Sequence, residues 1–274
     1  MLIQGMLRRN GLLVALFLTS VCVLAQPGKN QEKSPFGVED LELIETMMVT
    51  MDGLGSTTRD LLREQSVKTY MMPPRDRGTQ GNSICYAMAY CLEFYANFRQ
   101  NYKVNLSPDF IQLNLQDVNF KKAFEFLGET GTVNAAIMPF QSKRISPAVQ
   151  ATQKYTIQNY LHIFRPETRD RQKVFESRKA LMRGNPVIVD LRVPADFSAI
   201  SNTKTWEATG NPVKNEVLIV VGYNEETEAF ELLGSHGSSW GKDGYLWISY
   251  DDFGKLAQDG YVLVPMESYP DSGN

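Results

Sequence analysis

The stretch Gln80-Gly81-Asn82-Ser83-Ile84-Cys85-Tyr86-Ala87 joins a polar, turn-forming run to the start of a helix. Gly81 and Asn82 suit a turn. Ser83 is an N-cap residue type, whose hydroxyl accepts from an orphan backbone N–H. Beyond it Met88, Cys91, Leu92, Tyr95 and Phe98 recur at helical spacing, which predicts one apolar stripe on an amphipathic helix running to about Arg99. Cys85 falls in the first turn of that helix. The N-terminal end of the helix dipole favours a thiolate and lowers a thiol pKa. Gln80 lies just upstream, where its amide suits an oxyanion donor. Taken alone, a Cys–aromatic pair on an apolar helix is also ordinary core.

Upstream, Met71-Met72-Pro73-Pro74-Arg75-Asp76 is extended, because proline restricts itself and its predecessor. Leu41, Ile44, Met47, Met48 and Met51 share a helical stripe that ends at Gly53 and Gly55. It reads as a helix packed on the domain or as a short pro-segment covering a groove. Residues 26–37 are polar. Before them, Arg8 and Arg9 precede the apolar run Leu12 to Leu18, and Val23-Leu24-Ala25 ends on a small residue. This is the layout of a secretory signal peptide, too short to span a bilayer, with cleavage expected after Ala25. A lipoprotein anchor at Cys22 ranks lower, since Val21 precedes it where a small residue is wanted. The expected product is exported, periplasmic or extracellular, with Cys85 and Cys91 as its thiols. Six positions apart on one helix, they face different ways and do not reach disulfide geometry.

Downstream, Leu106-Ser107-Pro108-Asp109 opens a helix through Leu115, and Phe120 to Leu127 forms another. After Gly131 the pattern turns to strands: 155–163, 186–191, 217–223, 229–233, 244–248 and 261–264, with a helix over Gln172 to Met182. A helical half followed by an antiparallel, barrel-like β half makes an α+β protein of two lobes, about 69–150 and 151–265, behind a leader at 26–68. The 274 residues are 43% hydrophobic and 22% charged, with a net charge of −3. That balance gives no reason to expect nucleic acid or an anionic membrane as partner.

These segments, in this order, resemble the papain-like cysteine peptidases. Gln80-Gly81 with Cys85-Tyr86-Ala87 is similar to the family's first motif, and Leu106-Ser107 to its Leu-Ser helix start. Gly131-Thr132-Val133 through Pro139-Phe140 resembles its Gly-Val to Pro-Tyr passage, and Gly184-Asn185-Pro186-Val187 its Gly-Pro-Val. Val220-Val221-Gly222-Tyr223 resembles the strand after the catalytic histidine. Ser239-Trp240-Gly241-Lys242-Asp243-Gly244-Tyr245 resembles the Trp-Gly-x-x-Gly-Tyr hairpin. The resemblance covers about residues 69–265 and implies a thiolate nucleophile at Cys85, with a histidine and an asparagine downstream. Those two places fall on Glu216 and Gly234. The turn before Cys85 is also one residue short and lacks the family's Cys-Gly.

The departures carry chemical weight. A carboxylate near a thiol raises its pKa and is a poor acid for a departing amine. Losing a triad member costs roughly 10⁴- to 10⁶-fold in related systems. The chain has two histidines. His162 sits in the alternating strand and reads as exposed. His236 takes the place of the family's shielding Trp, from which it can approach Glu216 as a substitute base or stand idle. No cofactor or metal spacing is present. Three readings follow: a catalytically broken peptidase homologue that binds peptide or protein between its lobes, an active thiol peptidase or acyl-transfer enzyme using Cys85, His236 and Glu216, or a structural subunit. Glu216→His with Gly234→Asn is the substitution pair that would restore the family pattern.

Overall fold

The stripe predicted for the central helix proves too narrow. In the computed structural model, which describes residues 36–57, 62–98, 100 and 103–269, every residue from Cys85 to Asn97 is buried. The signal-peptide, Cys22 and Arg99 expectations lie outside the described residues. An all-round buried helix needs packing partners on all sides. Here α2 (Ser83–Asn97) has α3 (Pro108–Asn114) and α4 (Phe120–Glu129) on one flank and a sheet on the other. Its polar residues are matched. Glu93 accepts from Arg75 at 2.6 and 2.7 Å, Asn97 clasps both backbone groups of Val104, and Tyr95 donates to Asn185. The N-cap is Asn82 rather than Ser83. The Asn82 carboxamide oxygen accepts from Ile84 N at 2.9 Å, while Ser83 already lies within the helix.

The β half is one mixed sheet. Strands β2 (Ile157–Phe164), β3 (Val187–Val193), β4 (Thr205–Trp206), β5 (Lys214–Asn224), β6 (Ala229–Leu233), β7 (Tyr245–Ser249) and β8 (Ala257–Pro265) lie in the order β2-β8-β3-β5-β6-β7-β4. The short β1 (Glu64–Ser66) also pairs with β5. The expected antiparallel, barrel-like lobe is an open sheet, with β2 and β4 at the ends of that order. The β4–β7 pair is parallel and all the others are antiparallel. Helix α5 (Asp170–Met182) and helix α6 (Tyr250–Leu256) pack together on the sheet. The motif pattern gave no signal for α6, because Ser249 caps it directly at the end of a strand.

Helix α1 (Leu41–Met47) packs on β2, and the sequence before it joins the sheet. Val38 bridges to Leu161 of β2, donating to Tyr160 O and accepting from His162 N. Ile44, Met48 and Met51 are buried in the main core.

Candidate active site

The turn Arg75–Gly78 runs antiparallel to Ser235–Gly237. Arg77 N donates to Ser235 O, Gly237 N donates to Arg75 O, and Asp76 bridges to His236. The sheet delivers Glu216, near the start of β5, to the same place. Glu216 is 3% exposed. Its two oxygens accept from the Arg77 guanidinium at 2.6 and 3.0 Å, and Arg77 also donates to Ser235 Oγ at 2.7 Å. Glu216, expected at the family's histidine position, is therefore the acid of a forked, largely buried ion pair. Arg77 is the functional residue that motif reading passed over. The signal was available, since a carboxylate in a buried strand needs a cation.

His236 does not complete a substitute triad. Its Nε2 lies 3.6 Å from Glu216 Oε1, beyond hydrogen-bonding distance, and is buried without a partner. Burial pushes the imidazole below its usual pKa. Glu216 opposes that shift and Arg77 reinforces it. The 3.6 Å approach to Glu216 is an ion pair only when the ring is protonated, the form that burial disfavours. The ring tilts against Trp240 with centroids 5.3 Å apart.

Cys85 is fully buried, and burial pushes its thiol up to about 12, with the Asp109 carboxylate adding to the rise. A backbone N–H at the helix start opposes the rise, but desolvation outweighs it. Among the described residues, no hydrogen bond links Cys85 to Glu216 or His236. Asp109 comes from the Leu-Ser-Pro-Asp segment, and its Oδ2 accepts from Gln141 N at 2.7 Å. Gln80 is exposed. Its carbonyl accepts from Gln112 Nε2, which fixes the turn through its backbone. A cleft of about 700 Å³ opens between Arg77–Gly81, Asp109, Gln112 and Gln141–Lys143.

Gly234, expected at the family's asparagine position, has no room for a larger side chain. A Cβ there would sit 2.8 Å from the Trp240 ring, and Trp240 is itself buried and fixed by Nε1–H donation to Phe197 O at 2.9 Å. The restoring pair Glu216→His with Gly234→Asn is thereby corrected, since asparagine does not fit while Trp240 keeps its place.

His162 is not exposed. It lies between Asp259 (Nε2, 2.8 Å) and Glu39 (Nδ1, 3.2 Å) and stacks on Tyr261. It belongs to β2, and none of its contacts involves Cys85 or Glu216. No group of acidic, histidine or cysteine residues with metal-binding geometry occurs among the described residues, and no helix there is long and apolar enough to cross a membrane.

Residues 116–264 match the family described as papain family cysteine protease. The chain belongs to that family. An uncharacterized peptidase C1-like protein of Acanthamoeba polyphaga mimivirus is 22% identical over 213 residues, 69% of this chain and 68% of that protein. Among solved structures, xylellain, a cysteine protease from Xylella fastidiosa, overlays with a TM-score of 0.61 at 19% identity, covering 88% of this chain and 100% of xylellain. The bromelain protease of Ananas comosus overlays at 0.60 and 16% identity, covering 75% of this chain and 100% of bromelain. At these identities the structural likeness establishes the fold.

Proposed function

We propose that this papain-family member is an exported protein without peptidase activity that holds an extended peptide or protein segment in the groove between its lobes. The observation that carries the reading is Glu216 locked to Arg77 by two hydrogen bonds. Peptide cleavage by a thiol needs a base that takes the Sγ proton and later returns it to the leaving amine. Glu216 is engaged with a guanidinium, His236 has no bond to Cys85, and the thiol is held protonated. These contacts support a site without a proton shuttle, and the cleft beside the 77–81 turn, lined by residues of the helical half, offers room for a ligand at the edge of the site. Export is supported by the Arg8 to Ala25 pattern.

The test pairs two measurements. Turnover of a fluorescently labelled unfolded protein should be indistinguishable between wild type and Cys85→Ala, and a displayed peptide library should be retained by both. Hydrolysis that disappears in Cys85→Ala would overturn the proposal in favour of an active enzyme. Absence of any retained peptide would remove the binding role.

A further inference from the structure

We propose that the solvent side of the β6–β7–β4 end of the sheet binds one sugar ring, stacked on Trp247. The chain has three tryptophans. Trp206 and Trp240 are buried, and Trp240 spends its indole N–H on a backbone carbonyl. Trp247 differs. It is half-buried on β7, packs against no other aromatic ring or cation, and its indole N–H has no acceptor among the described residues.

The register explains the opening. Residue 247 pairs with Thr205 on β4 and with Glu231 on β6, while Ile248 and Trp206 turn inward. The diagonal position is Ala229, too small to cover the ring. The result is a hollow of about 230 Å³ with Trp247, Lys204, Thr205 and Ser249 among its walls. That is below the roughly 300 Å³ lower end for drug-sized ligands and suits a single ring.

The free groups set the ligand's chemistry. Ser249 Oγ is spent on Asp252, donating to its carboxylate and accepting from its N–H, and Asn224 Oδ1 caps the following turn. The Lys204 ammonium, the Thr205 hydroxyl and the Trp247 N–H have no partner among the described residues and face solvent. An indole face with a negative quadrupole suits the C–H face of a pyranose, and a rim of donors suits its ring and hydroxyl oxygens. An apolar ligand would leave these donors unpaired, and a phosphate would find one cation and no arginine fork. Lys204 favours a ring carrying a carboxylate. None of these residues belongs to the Glu216 site, so this reading stands or falls separately from the proposed function.

The experiment is acrylamide quenching of tryptophan fluorescence, which reports mainly Trp247 because the other two are buried. Methyl glycosides of neutral hexoses, N-acetylhexosamines and hexuronates are the probes. Protection from quenching by at least one class is expected, strongest for hexuronate. Trp247→Ala should abolish retention on the matching immobilised glycan, and Lys204→Ala should weaken hexuronate retention about tenfold. Circular dichroism serves as the control that both variants fold. Protection by none of the three classes, or glycan retention by folded Trp247→Ala equal to wild type, overturns the proposal.

Discussion

Replacing Arg77 with methionine keeps an unbranched apolar stem and removes the charge that Glu216 needs. The Glu216 side chain is 4% exposed and that of Arg77 is 17% exposed. Breaking a fully buried pair by deleting one partner costs roughly 3–5 kcal/mol, because the other charge is left desolvated. The partial exposure of Arg77 lets water reach the stranded carboxylate and lowers the expected loss to about 2–4 kcal/mol. The backbone bridge of this turn to Ser235 survives, so the loss is electrostatic rather than a collapse of the turn. Urea unfolding monitored by fluorescence measures it, with an unchanged denaturant slope showing that the change is one of stability. One further result is diagnostic. Adding Glu216→Gln should recover more than half of the loss, since the amide has no charge to strand. A loss below about 1 kcal/mol at pH 7, or additive effects in the double variant, would refute the view that this pair is a buried, mutually dependent unit.

Other expectations follow from the same geometry. With its thiol pushed up to about 12, Cys85 should resist iodoacetamide from pH 5 to pH 8 in the folded protein and react readily in urea, as followed by mass spectrometry. Fast alkylation at pH 6 would contradict that. Asp190 is raised to about 6, chiefly by burial, with Asp259 and Glu216 adding to the rise and Asn215 opposing it. A raised acid stabilises the fold below its unfolded pKa and loses that contribution as pH climbs through the folded value. Asp190→Asn should therefore remove up to ~2 kcal/mol of stability decline between pH 4 and pH 7, allowing for solvent screening. Gly234→Asn should destabilise by about 1–3 kcal/mol through collision with Trp240, and adding Trp240→Leu should relieve much of it. A melting temperature for Gly234→Asn equal to that of wild type would show that the ring yields without cost.

The sequence carried much of this, for identifiable reasons. Order and spacing of the Cys85, Leu106-Ser107, Pro186-Val187 and Trp240-Gly241 segments reflect contacts that recur wherever this fold is built, so they exposed the α+β architecture. They also singled out Glu216 and Gly234 as expected departures from the family pattern. What they could not carry were contacts made across the chain. Arg77 acquires its meaning only when the turn meets β5, 139 residues later. His162 reads as exposed by alternation, yet Glu39 from the leader covers one side and Asp259 from β8 the other. The thiol of Cys85 was expected to be acidified, because a dipole is legible from helix position whereas desolvation is not. Gly234 looked like a missing side chain. Trp240, six residues on, shows it to be the space that a buried indole fills.

Val38 closes part of the edge of β2, the strand at one end of the sheet. An uncovered edge offers unpaired N–H and C=O groups to any extended chain, including another copy. A protease that trimmed the protein beyond Val38 would remove this guard while leaving the cleft and the Arg77–Glu216 pair untouched. Such a truncated form should stay folded yet self-associate with rising concentration, which light scattering would register. The leader would then act as a chaperone for solubility, made of a single bridged residue and the helix that anchors it.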